Sequence, residues 1–102
     1  MEEIFTVKDN CLKIAMPEEM DHHSAESIRE GADEYLLMGK AQHVIFDFSK
    51  TRFMDSSGIG VIAGRYKKVA CFGGKVMAVH VNPRIRKILL LSGLKDMIEI
   101  VD

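Results

Sequence analysis

Apolar and polar positions alternate weakly through Ile4-Phe5-Thr6-Val7, and the run ends at Asp9-Asn10, a turn pair. Cys11-Leu12-Lys13-Ile14-Ala15-Met16 follows, so the two runs predict a short antiparallel hairpin. Pro17 closes the second strand, because it has no N–H to give a ladder. Ala25, Ile28, Ala32, Tyr35 and Leu36 then make one apolar stripe, with Glu26, Arg29, Glu30, Asp33 and Glu34 on the other side. That spacing predicts an amphipathic helix, N-capped by Asp21 or Ser24 and stopped at Gly39. Residues 44–48 are short, apolar and β-prone and predict a strand buried on both faces. A second helix is expected over residues 56–72, before Gly73-Gly74, and a further buried strand at residues 76–79. Asn82-Pro83 opens a third helix, since a proline in the first turn lacks only an N–H that has no partner there. Ile85, Ile88 and Leu89 form its stripe, Ser92-Gly93 ends it, and residues 98–101 read as a last strand. The order ββαβαβαβ predicts an α/β fold, a mixed β-sheet with helices packed on it through right-handed crossovers, in one domain over residues 1–102.

Composition narrows the function classes. With 102 residues, 47% apolar and 28% charged, the chain supports a packed core. Its formal net charge of −1 gives no basic excess for nucleic acid. The charge is uneven, however: residues 1–50 carry a net of −6 and residues 51–102 a net of +5. Solvated helix faces account for this most simply, and two oppositely charged faces toward a partner are the alternative. No apolar run reaches the ~18 residues of a membrane span, and Met1-Glu2-Glu3 does not open a secretory leader. A cytoplasmic protein is expected, with Cys11 and Cys71 reduced and buried as small apolar side chains. His22 and His23 are neighbours and so do not share a helix face for a metal. Met16, Met20, Met54 and Met77 read as gap-fillers or as an adaptable contact surface.

The unusual segment is Phe53-Met54-Asp55-Ser56-Ser57-Gly58-Ile59-Gly60-Val61-Ile62-Ala63-Gly64, which joins a buried strand to a helix. With Asp55 as N-cap, Met54 and Ile59 occupy the two staple positions, and Ser56 and Ser57 are the first helical residues. Both hydroxyls then lie at the positive end of the helix dipole. Glycine costs about 1 kcal/mol relative to alanine in a helix interior. Gly58 and Gly60 therefore suggest backbone exposed for another molecule, with close packing an equal reading for Gly60 and the favoured one for Gly64.

Four chemistries are open to these glycines and serines. Gly58-x-Gly60-x-x-Ala63 fits a dinucleotide fingerprint, but the acidic ribose ligand about 20 residues on is missing, where His80, Val81 and Asn82 stand instead. Gly74-Lys75 is no phosphate loop, because Val76 follows it and a strand, not a helix, comes next. Ser56 has no nucleophile elbow around it. Reversible phosphorylation remains: a phosphate on Ser56 would gain the helix N-terminus and add about −1.5 to −2 charges beside Asp55. A simple helix cap is the plain structural alternative.

At the segment 53–60, together with Met20-Asp21-His22-His23-Ser24-Ala25-Glu26, the chain resembles the STAS family, specifically its anti-sigma factor antagonists of the sporulation type. Arg65-Tyr66-Lys67, Gly73-Gly74 and Ser92-Gly93-Leu94 match as well, so the resemblance covers nearly the whole chain. It implies a binding switch without turnover or cofactor. Ser56 would be phosphorylated by a partner that is both serine kinase and anti-sigma factor. The unphosphorylated antagonist would bind that partner and free its sigma factor, the phosphorylated one would let go, and a metal-dependent serine phosphatase would reset it. By the same resemblance Asp21 would be part of the docking face, Asp55, Ser57, Gly58 and Gly60 match the rest of the family's switch loop and helix start and would join in partner binding, and Met54 and Ile59 would add apolar contact by their position. No nucleic acid or membrane enters this scheme. The alternatives are a nucleotide-binding STAS module or a STAS subunit of a larger stress-signalling assembly. Two departures stand out. Glu18 replaces a usual glycine, so that loop is expected to differ in shape. Many members also continue past the position of Asp102 into a last amphipathic helix, so an apolar strip of the sheet is expected to lie open to a partner or second copy.

Overall fold

The computed structural model describes residues 3–101. Strands β1 (Phe5–Lys8) and β2 (Cys11–Ala15) form the expected hairpin, with Phe5 opposite Ile14 and Lys8 opposite Cys11. Asp9 and Asn10 turn it with φ of 52° and 66°, the left-handed pair that suits the twist of two-residue hairpins. A two-residue strand β3 (Glu19–Met20) leads into α1 (His22–Leu37), and β4 (His43–Asp47) follows. A second two-residue strand, β5 (Phe53–Met54), leads into α2 (Ser56–Ala70). Strand β6 (Val76–Val79), α3 (Pro83–Leu91), a 3₁₀ turn (Leu94–Asp96) and β7 (Glu99–Ile100) complete the order.

The main sheet runs β1-β2-β4-β6-β7, with every pair after the hairpin parallel. Each crossover therefore steps the same way across the sheet. Right-handed connections then place α1, α2 and α3 on one face. Burial follows that geometry. Leu12, Ile14, Val44, Phe46, Val76 and Ala78 face the helices and are buried, with Phe48, Ile62, Ile85 and Leu89 closing the core. The alternate positions Cys11, Ala15, Ile45, Met77 and Val79 are only half-buried, and Lys13 is exposed.

Several expectations change here. The strands at residues 44–48 and 76–79 are buried on one face rather than both, because all three helices lie on one side. Ile45, Met77 and Val79 form a half-buried strip on the face opposite the helices. The order gains β3 and β5, which pair with each other in parallel as a separate ribbon. Cys11 is half-buried and Cys71 exposed, not buried. Cys71 lies past the end of α2, where its Sγ donates to the Lys67 carbonyl at 3.3 Å. Of the methionines, Met16, Met20 and Met54 fill the core, and Met77 is on the open face.

Candidate switch site

The site is built where two helices begin side by side. In the ribbon, Glu19 pairs with Phe53 and Met20 with Met54. The residues that leave it, Asp21 and Asp55, are the N-caps of α1 and α2. The Asp55 N–H donates to the Met20 carbonyl at 3.1 Å, tying the two starts together. Both caps have extended backbone, and each carboxylate accepts an otherwise unpaired helix N–H. Asp21 Oδ1 accepts from the Ser24 N–H at 3.0 Å, and Ser24 Oγ accepts from the Asp21 N–H at 3.1 Å, a full capping box. Thus Asp21 is the cap and Ser24 its reciprocal partner. Asp55 Oδ1 accepts from the Ser57 N–H at 2.8 Å. The Ser24 N–H, first, and then its hydroxyl hold the Asp21 carboxyl below the usual carboxylate range.

Ser56 is the first residue of α2 and is exposed. Its hydroxyl makes no hydrogen bond among the described residues, so it is free for chemistry. Ser57 is half-buried, with its N–H already taken by Asp55. Met54 is buried and Ile59 half-buried against the core, as staple residues should be.

The glycines divide differently from the sequence reading. Gly58 is buried, and a Cβ there would collide with Met54 Cγ and lie 3.0 Å from Met20 Cγ. Its smallness serves packing over the ribbon, not approach by another molecule. At Gly60 a Cβ would meet nothing within 4 Å, and the residue is exposed. Gly64 is equally open, which overturns the close-packing expectation for it, because that side of α2 faces away from the sheet. Gly60 opens onto a groove between His22, Glu26 and Arg29 of α1 and Ser57 and Val61 of α2.

Of the residues singled out in the sequence, Asp21, Asp55, Ser56, Ser57 and Gly60 therefore share one face, while Met54 and Gly58 lie beneath it. Other residues named in the sequence make contacts at this end that the sequence did not show. Phe53 alternates with Met54 and is exposed beside the switch segment. Arg52 and Glu18 pair across the ribbon at 3.5 Å, both exposed, so Glu18 finds a partner where the family glycine would have none. Asn82 caps α3 through the Ile85 N–H at 2.8 Å and donates to the Thr51 carbonyl at 2.9 Å, fixing the loop that leads to β5. A strand alternation of two residues and contacts across 31 positions leave no periodic signal. Glu18, Glu19, Asp21, Glu26 and Asp55 flank this end, with Arg52 paired to Glu18 and Arg29 lining the groove among them. Among the described residues no group of three or more His, Cys, Asp or Glu stands close enough to hold a metal, and no helix is long and apolar enough to cross a membrane.

Comparison with known proteins agrees with this frame. The STAS domain family matches residues 4–102. The anti-sigma F factor antagonist of Paenibacillus polymyxa is 36% identical over 91 residues, covering 89% of this chain and 78% of that protein. The anti-sigma factor antagonist SpoIIAA in its unphosphorylated form superposes with a TM-score of 0.80 at 27% identity, over 96% of this chain and 87% of that one. The Bacillus cell fate determinant SpoIIAA in the phosphorylated form does so with 0.77 at 29% identity, over 96% and 91%. The chain belongs to the STAS domain family.

Proposed function

We propose that this STAS domain is an anti-sigma factor antagonist switched by phosphorylation of Ser56. The observation that carries the reading is the exposed, unbonded Ser56 hydroxyl on the first turn of α2, beside two helix starts locked by Asp21 and Asp55. The similarity to an antagonist of anti-sigma F factor, and to SpoIIAA in both phosphorylation states, supports it.

In this reading the partner is an anti-sigma factor that is also a serine kinase. Ser56 Oγ attacks the γ-phosphorus of a nucleoside triphosphate held by that partner, loses its proton, and the diphosphate leaves. A serine phosphatase reverses the change by adding water to the phosphoserine and releasing inorganic phosphate. The chain is a binder and a substrate, with no turnover of its own, and it works in the cytoplasm beside its partners.

The physics favours release without refolding. The positive end of the helix dipole favours the phosphate on the free protein, although the Ser57 and Gly58 N–H groups already donate to Asp55. In a complex, about −1.5 to −2 new charges would be buried among Asp21, Asp55 and Glu26. Burying such charge without a counter-ion costs several kcal/mol. The test is a pull-down from native cytosol with wild-type, Ser56→Ala and Ser56→Asp baits, read by mass spectrometry. A small serine kinase enriched on the first two and lost from the third is expected. Equal recovery on all three would leave Ser56 as an ordinary first-turn residue of α2 and end the proposal.

A further inference from the structure

Arg65 is the one fully charged side chain among the buried residues described, at 4% exposure. It is on the side of α2 that faces α1. Its Nε is 3.0 Å from Asp33 Oδ1, and Lys68 Nζ stands 3.9 Å from Asp33 Oδ2. The Arg65–Asp33 contact is not aligned as a hydrogen bond, and Arg65 Nη1 meets no acceptor among the described residues. A buried pair with such incomplete hydrogen bonding contributes little to stability, and apolar side chains in its place are often neutral or better. Its retention calls for a geometric reason.

The α1–α2 seam supplies one. At their N-terminal ends the two helices are joined by the ribbon, through two residue pairs and the Asp55–Met20 hydrogen bond. Beyond that tether, α1 and α2 are held by apolar packing on the sheet, which is non-directional and fixes no single pair of atoms across the seam. Apart from Arg65, the buried residues of α1 and α2 are apolar or glycine, Ile28, Leu36, Val61, Ile62 and Val69 among them, and their side chains make no directional bond. Ala25 and Ala32 are the small buried residues of α1, and Gly60 and Gly64 of α2 present no side chain at all. Arg65 lies nine residues after Ser56 and Asp33 eleven after His22, about 13 and 16 Å along their axes at ~1.5 Å per residue. That is a second fixed point, far from the first.

We infer that the Arg65–Asp33 pair, with Lys68 on its rim, is a positioning clamp that sets the angle between α1 and α2, and so the spacing of Asp21 and Ser56 on the docking face. Arg65 touches no partner and acts through the two helix starts. The inference rests on the switch reading only for its functional consequence, and the helix geometry can be measured without it.

The test compares wild type with Arg65→Met/Asp33→Leu, Arg65→Lys and Asp33→Asn. Residual dipolar couplings of the α1 and α2 amides report the interhelical angle with no partner present. The double variant is expected to unfold at or above the wild-type temperature, to show an altered or averaged angle, and to bind the anti-sigma factor at least tenfold more weakly. Arg65→Lys, which keeps the charge, is expected to restore the angle and most of the affinity. An unchanged angle in the double variant overturns the clamp, and so does affinity within twofold of wild type. If the double variant does not fold, Asp33→Asn, at a half-buried position, carries both readouts. Ser56→Asp is titrated alongside: if it binds like wild type, the switch reading fails while the angle measurement still decides the clamp.

Discussion

Gly58 and Gly60 lie two residues apart in α2, yet the structure gives their alanine variants opposite signs. A glycine inside a helix costs about 1 kcal/mol relative to alanine. At Gly60 a new Cβ meets nothing within 4 Å, so Gly60→Ala should recover that amount. At Gly58 the Cβ collides with Met54 Cγ and lies 2.7 Å from Met54 Sδ. Met54 and Met20 are 4% and 0% exposed, so neither has open space to move into. Overpacking of this kind costs about 1–3 kcal/mol, and the propensity gain is reduced in the first turn. The net for Gly58→Ala is a loss of about 1–2 kcal/mol, and the two variants should differ by about 2–3 kcal/mol. In a domain near 100 residues, 1 kcal/mol moves the melting midpoint by roughly 4 °C. Far-UV circular dichroism should therefore place Gly60→Ala a few degrees above wild type and Gly58→Ala as far or further below it. The new methyl at position 60 projects into the groove beside Ser57, so this more stable variant should also bind the partner more weakly. A Gly58→Ala protein as stable as Gly60→Ala would refute the assignment of Gly58 to packing and Gly60 to the open face.

Other perturbations test separate parts of the structure. Asp55→Ala removes the cap on the Ser57 N–H and should cost about 1 kcal/mol in urea unfolding; no loss would mean that α2 starts elsewhere. Asp47 titrates below the usual range: burial pushes it up, but the Ser49 N–H and hydroxyl and the Lys13 ammonium pull it down further. Asp21 is held low by Ser24. Carboxyls with depressed folded-state values contribute stability that is present above the unfolded value of ~4 and lost as pH falls through the folded value. Stability should thus drop on acidification below about pH 4, and Asp47→Asn should flatten that drop in denaturation curves taken from pH 6 to 2. One-sided burial predicts unequal costs on β4 and β6. Phe46→Ala should lose about 3–5 kcal/mol, and Met77→Gln on the open face about 1 kcal/mol or less; equal losses would mean that the second face is covered.

The elements legible in the sequence are those long enough to show a period or marked by cap chemistry. The stripe Ala25, Ile28, Ala32, Leu36 is the buried side of α1, and Asp55 and Asn82-Pro83 open the helices they predict. What escaped depends on tertiary placement. The ribbon β3–β5 has two residues per strand, too few for alternation to be read. Strands of apolar residues look the same whether helices cover one face or both, and only the direction of the crossovers decides it. Asp33 belongs by spacing to the polar side of α1, yet it is turned toward a buried arginine 32 positions later. The roles of Gly58 and Gly60 follow from where Met54 packs, which no local pattern carries. Ser56, the proposed switch residue, is marked in the sequence by its motif and its place after a capping aspartate.

The most direct test of the switch is calorimetric titration of the purified anti-sigma factor with this protein, unphosphorylated and stoichiometrically phosphorylated on Ser56. Moving a partner from 99:1 bound to 1:99 requires about a 10⁴-fold change in affinity, or roughly 5.5 kcal/mol. The expected result is tight binding of the unphosphorylated form and a loss of at least a hundredfold on phosphorylation, with amide spectra of the free domain unchanged outside the starts of α1 and α2. Equal affinity of the two forms would contradict the switch.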